Sequence, residues 1–144
     1  MRVRCGLVSK EDAVRTTDLR VLAESANFLL SHAAESVYVV DKRDGTTRTA
    51  GEHLGEPGVG LITADEQWFC SGGEGVQCLS RAGVFLSLFR GRASADRSAQ
   101  SAVWFVHDLT ESAPGQLRVV FDHHEHGIWM IDLATARRWR EEPR

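Results

Sequence analysis

Gln67-Trp68-Phe69-Cys70-Ser71-Gly72-Gly73-Glu74-Gly75-Val76-Gln77-Cys78 sets three glycines within four positions between two apolar, strand-forming runs. The pattern predicts a β-hairpin near the middle of a sheet. With Gly73-Glu74-Gly75 as a three-residue loop, Gly75 takes the left-handed conformation that such loops need. Counting outward then places Gly72 against Val76 and Cys70 against Cys78. A four-residue loop would place Cys70 against Gln77 instead. Direct strand partners lie about 4.5–5.5 Å apart at Cα, inside the range a disulfide spans. Glu74 is expected to be displayed at the tip.

Working outward towards the N-terminus, Ala64-Asp65-Glu66 reads as a turn and Val59–Thr63 as a strand. Ala50–Gly58 reads as a loop. Val37–Val40 is a strand turned by Asp41–Gly45, with Asp-Gly as the turn signal, and Thr46–Thr49 returns as a polar strand. From Leu19 to Ala33, the residues Leu22, Ala26, Leu29, Leu30 and Ala33 fall on one helical stripe. That spacing predicts the main helix. A strand over residues 2–8, a helix start at Ser9–Asp12 and a second cap at Thr17 precede it.

Towards the C-terminus, Ser80–Arg92 suits a strand better than a helix because of its aromatic and β-branched content. Gly91–Ser101 reads as a loop. Val103–His107, Leu117–Asp122 and Ile128–Leu133 read as strands, nearly continuous in apolar residues and so suited to cover on both faces. No internal repeat at a fixed period is apparent. Short connections favour antiparallel neighbours. The expected class is α+β: an N-terminal amphipathic helix packed on a mainly antiparallel sheet of six or more strands. Residues 1–136 form the single domain and residues 137–144 a charged C-terminal tail.

A chain of 144 residues buries roughly 70% of its unfolded surface and needs no metal or disulfide staple. The net charge of −3 and pI near 6.1 speak against a nucleic-acid binder, which is usually basic on one face. Three cysteines, Cys5, Cys70 and Cys78, are too few and too odd in number for a secreted disulfide framework. No secretory signal and no run of about 18 apolar residues is present, so neither export nor a membrane span is expected. The expected compartment is the cytoplasm, with Cys70 and Cys78 as reduced, buried thiols.

Several clusters hold residue types that carry chemistry elsewhere. Asp122-His123-His124-Glu125-His126 holds the right residue types for a divalent metal, and His107 could join it. All five residues lie in one turn, which points them apart, so a solvated or partner-contacting turn is the simpler reading. Cys70 beside Ser71 lacks a neighbouring base in the sequence and lacks the Gly-x-Ser-x-Gly strand-turn-helix elbow. Gly72–Gly75 lacks the Lys-Ser/Thr of a phosphate loop. Arg81, Arg90, Arg92 and Arg97, interleaved with Phe85 and Phe89, could form a single-strand nucleic-acid platform. Core phenylalanines beside a solvated, edge-protecting arginine row account for them more simply. Of Trp68, Trp104, Trp129 and Trp139, the last lies in the charged tail and is the candidate interface anchor.

The segments Asp65–Val76, Leu117–Asp122 and Gly127–Asp132 together resemble small bacterial immunity proteins of polymorphic toxin systems. The resemblance implies a cytoplasmic antidote that neutralises a cognate toxin by direct binding and carries no catalytic residues. The expectation is therefore a protein-binding module with a protein partner, a possible homodimer, no cofactor, and no nucleic-acid or membrane partner. Asp65, Glu66, Glu74, His124 and Glu125 are the expected contact residues. The alternative is a small metal- or ligand-binding enzyme that uses the cluster at 122–126.

Overall fold

A computed structural model describes residues 19–90 and 103–142. The strand expected over residues 2–8, the caps at Ser9 and Thr17, and the 91–101 loop lie outside them. The described residues form twelve strands and one 3-10 turn, with no α-helix among them. They build three four-stranded antiparallel meanders. Sheet 1 contains β1 (Arg20–Glu24), β2 (Phe28–Ala33), β3 (Ser36–Asp41) and β4 (Thr47–Glu52). Sheet 2 contains β5 (Val59–Ile62), β6 (Trp68–Gly73), β7 (Gly75–Ser80) and β8 (Phe85–Leu88). Sheet 3 contains β9 (Val106–Ala113), β10 (Gln116–Phe121), β11 (Ile128–Asp132) and β12 (Arg137–Arg140). The class is nearly all-β, not α+β.

The helix expected over Leu19–Ala33 is instead the β1–β2 hairpin. The two strands pair from Arg20↔His32 to Glu24↔Leu29, with a bulge between Val21 and Ala23. Ser25-Ala26-Asn27 supplies turn chemistry in the middle of the supposed stripe. Glu66 of the β5–β6 turn fixes that break. Its carboxylate accepts from the Ser25 hydroxyl, from the Asn27 amide at 3.0 Å and from Asn27 Nδ2 at 2.9 Å. Phe28, Leu30 and His32 then alternate onto the buried face. Tertiary contacts override local helix propensity here.

Sheet 2 lies between the other two. Phe69 and Leu79 face sheet 1, where they pack with Phe28, Leu30, Val37, Val39 and Ala50. Cys70, Val76 and Cys78 face sheet 3 and pack against Leu109, Leu117, Val119, Phe121 and Ile131. Cover on both faces explains why every residue of β7 is buried. In β10 burial alternates, so sheet 3 has one inner face, unlike the two-sided cover expected for that run.

The first strands of the sheets run side by side, with β5 between β1 and β9. Gly60 makes the approach to sheet 1 possible: a Cβ there would lie 2.5 Å from Leu22 Cβ. Consecutive meanders packed face to face are how the blades of β-propellers are laid out. The third-to-fourth strand turn is duplicated between sheets. In sheet 1 the Arg43 and Gly45 amides donate to Asp41 Oδ1 and Asp41 O; in sheet 3 those of Ala134 and Ala136 donate to Asp132 Oδ1 and Asp132 O. Gly45 and Ala136 are both left-handed, at φ 78° and 63°. Unequal connections between the units hide this repeat from a fixed-period search. The supposed tail from residue 137 supplies edge strand β12, where Trp139 pairs with Met130.

Candidate functional site

The glycine-tipped hairpin has the expected register, with Gly72 opposite Val76 and Cys70 opposite Cys78. Both thiols are free and buried. Burial pushes the Cys70 thiol well above its ordinary pKa, with the Cys78 sulfur beside it adding to the rise.

The tip is not displayed. Glu74 is only 4% exposed and forms a β-bridge with Phe105. The Gly75 amide donates to Trp104 O at 2.7 Å. Gly75 is left-handed at φ 79°, and a Cβ there would meet Leu88 O at 2.8 Å. The tip is therefore the seat on which the end of β8 turns.

That turn puts Phe89 at φ 60°, an uncommon conformation for a bulky side chain. Its ring is held by Trp104 (centroids 5.5 Å apart, stacked), Phe121 (5.1 Å) and Trp129 (5.3 Å). His126 stacks on Trp104 at 3.8 Å and donates from Nε2 to Val103 O at 3.2 Å. Trp129 Nε1 donates to His126 O at 2.7 Å. The Arg138 guanidinium lies over Phe89, 4.9 Å from the ring centroid. Ser87, Arg90, Trp104, Trp129 and Arg138 surround an open groove of about 440 Å³ with Phe89 in its wall. Such a groove offers π-faces, indole edges and guanidinium donors, which suits an apolar or aromatic group carrying negative charge.

Folding also brings a base to Ser71, which the sequence did not reveal. His53 Nε2 lies 2.8 Å from Ser71 Oγ. Both residues are 1% exposed, so no substrate reaches the hydroxyl in this arrangement. Burial pushes the His53 pKa down. Beside the pair, the Gln77 amide clasps the Glu52 backbone, accepting from N and donating to O at 2.6 Å each. These groups pin the end of β4 to sheet 2. Gln77 inside an apolar strand was the available signal, since a buried polar side chain needs a partner.

The remaining expected contact residues separate. Asp65 and Glu66 sit at the first-to-second strand end of sheet 2, whereas His124 and Glu125 sit at the second-to-third strand end of sheet 3. Asp65 organises its own turn, accepting from Thr63 Oγ1 at 2.8 Å and the Gln67 amide at 3.0 Å. Glu66 is engaged with Ser25 and Asn27, whose hydrogen bonds hold its pKa down at about 2. His124 and Glu125 are exposed on the 3-10 turn His124–His126.

The side chains of the 122–126 cluster divide among different neighbours. Asp122 pairs with His107 at 3.2 Å, His123 stacks on His124, and His126 turns into the aromatic cluster. No three His, Cys, Asp or Glu side chains gather for a metal among the described residues. Among them, too, no helix is long and apolar enough to cross a membrane.

Fold and site thus define an all-β protein of three stacked meanders with an aromatic–arginine groove between the second and third. No protein-family model matches the chain, and no curated protein or solved structure matches it at significance.

Proposed function

We propose that this chain is a protein-binding module whose contact surface is the groove between β8 and β11–β12. One observation carries the reading: Phe89 is held in a left-handed conformation, seated on Gly75, with two half-buried tryptophans and two arginines around it. Backbone strain of this kind costs about 1–3 kcal/mol and gathers at ligand-contacting sites. Trp and Arg are also the residues that concentrate binding energy at interfaces. The partner is a protein that offers an apolar side chain next to a carboxylate.

The most specific form of the reading is a cytoplasmic immunity protein that neutralises a cognate bacterial toxin by direct binding. The resemblance of Asp65–Val76, Leu117–Asp122 and Gly127–Asp132 supports it. The contact residues move from Asp65, Glu66 and Glu74 to Arg90, Arg138, Trp104 and Trp129.

The test uses the toxin domain encoded beside this chain. Calorimetric titration is expected to show binding that Arg138→Glu and Arg90→Glu each weaken at least tenfold, a loss of about 1.4 kcal/mol or more, with thermal midpoints unchanged. Loss of binding in Asp65→Ala or Glu125→Ala, with both arginine variants intact, would move the surface elsewhere. Self-association with no toxin binding would assign the groove to a second copy.

A further inference from the structure

On the other face of sheet 2, three arginines line one concavity, and two of them lie over a buried ring. Arg43 comes from the β3–β4 turn, Arg48 from β4 and Arg81 from the β7–β8 turn. The guanidinium carbons of Arg43 and Arg81 lie 5.2 and 5.1 Å from the centroid of Phe28. Phe28 is 4% exposed and anchored edge-on against Phe69. Stacking on a fixed ring removes rotamer freedom from two guanidiniums before any ligand arrives. Phe28, Val39, Asp41, Thr46 and the three arginines bound a concavity of about 180 Å³. At roughly 30 Å³ per water, that is room for one polyatomic anion and little more.

The local charges leave donors over. Three carboxylates lie near, and each is already engaged: Asp44 accepts from the Thr46 amide and hydroxyl at 2.9 and 2.8 Å. Asp41 takes Arg43 Nε and Nη2 at 2.9 and 2.8 Å, and Glu66 is tied to Ser25 and Asn27. Arg48 Nη1 makes one long contact, 3.5 Å, to Arg81 O. Among the described residues, neither the Arg48 nor the Arg81 guanidinium has a carboxylate at ion-pair distance. The turn itself does not need Arg43. Its duplicate at Asp132 makes the same two backbone bonds with Ala134 in that place.

We infer that the pocket at Phe28, Arg43, Arg48 and Arg81 is an oxoanion site that takes a single phosphate group. Guanidinium N–H pairs match phosphate oxygens, and three segments approach the anion from three sides. A carboxylate, with two coplanar oxygens, uses fewer of these donors. The group is either free inorganic phosphate or the phosphomonoester of a small molecule whose remainder projects into solvent.

Arginine Nε–Hε NMR signals of the full chain, titrated with inorganic phosphate at constant ionic strength, test the site. Saturable shifts at Arg48 and Arg81 are expected. Affinity should fall at least tenfold in Arg48→Gln and Arg81→Gln and severalfold in Arg81→Lys, which keeps the charge and loses the planar donor pair. Arg138→Gln, on the opposite face of sheet 2, should bind like the parent. Equal affinity for O-phosphoserine and phosphate assigns the free anion; tighter O-phosphoserine assigns an ester. Shifts that never saturate, that acetate reproduces at equal concentration, or that survive in an Arg48→Gln/Arg81→Gln double variant with an unchanged melting midpoint overturn the inference.

Discussion

Gly75 meets two demands at once. Its φ of 79° penalises any Cβ, and the space a Cβ would fill holds the Leu88 carbonyl at 2.8 Å and the Arg90 amide at 3.1 Å. Gly115 shares the first demand, at φ 73°, but has open space around it. Gly115→Ala should therefore cost only the left-handed penalty, about 1–2 kcal/mol. Gly75→Ala should add an overpacking term of about 1–3 kcal/mol. Urea unfolding of the two variants checks the difference.

A second residue-scale prediction concerns pH. His53 and His126 are both held below the ordinary imidazole pKa of 6.5, chiefly by burial. The unfolded chain thus binds more protons than the folded one near pH 6, and stability rises with pH there. It should be fully present above about 6.5 and decline as pH falls through that value. Chemical unfolding at pH 7.5, 6.5 and 5.5 should show the decline, and His53→Gln should flatten it. Glu66 acts lower on the scale. Its folded pKa of about 2 against an ordinary 4.5 gives stability that is present above 4.5 and lost as pH drops towards 2. The Cys70 and Cys78 thiols, both 0% exposed, should react with Ellman's reagent only after unfolding.

At the scale of elements, the ties between sheets matter more than any one strand. The Glu66 carboxylate fixes the β1–β2 turn to sheet 2, and Glu111 Oε1 accepts the Ala64 amide at 2.8 Å, which fixes the β5–β6 turn to sheet 3. Gln77 fixes the end of β4. Gln77→Ala leaves the Glu52 N–H and C=O without their side-chain partner. At about 1–3 kcal/mol per unsatisfied buried group, the loss should be several kcal/mol, read by denaturant unfolding.

The same scale shows what the sequence revealed. The Gly72–Gly75 spacing narrowed the register to two choices, because hairpin geometry is local, and the fold takes the one that sets Cys70 opposite Cys78. Leu19–Ala33 misled because its apolar stripe satisfies a helix, while the interaction that breaks it comes from Glu66, some forty residues away. Arg137–Arg140 looked like a tail because an outer edge strand needs few apolar residues. Glu74 looked exposed because a loop tip usually is; only the bridge to Phe105 buries it. The groove was not legible: Phe89 read as core, Arg90 as a solvated edge and Trp139 as the interface anchor, and nothing in the order of residues brings Arg138 over Phe89.

Across the whole molecule, sheet 2 belongs to two cores at once, one with sheet 1 and one with sheet 3. Damage on either side should be felt as one event. Leu30→Ala and Leu117→Ala, each removing a side chain that is 0% exposed, should both lower a single cooperative transition by about 2–5 kcal/mol. Separate transitions for the two variants would mean that the sheets fold independently. The two faces of sheet 2 also present different chemistry, with the arginine pocket towards sheet 1 and the aromatic groove towards sheet 3.

The proposal that the groove is a contact surface is tested most directly by the four tryptophans. Trp104 and Trp129 line it, Trp68 lies within sheet 2, and Trp139 stands on edge strand β12 with Arg137 over its ring. Fluorine NMR of the chain labelled with 5-fluorotryptophan, recorded with and without the protein partner proposed above, should show the Trp104 and Trp129 resonances shifting and those of Trp68 and Trp139 unmoved. A shift confined to Trp139, with Trp104 and Trp129 unchanged in the bound state, would contradict the account.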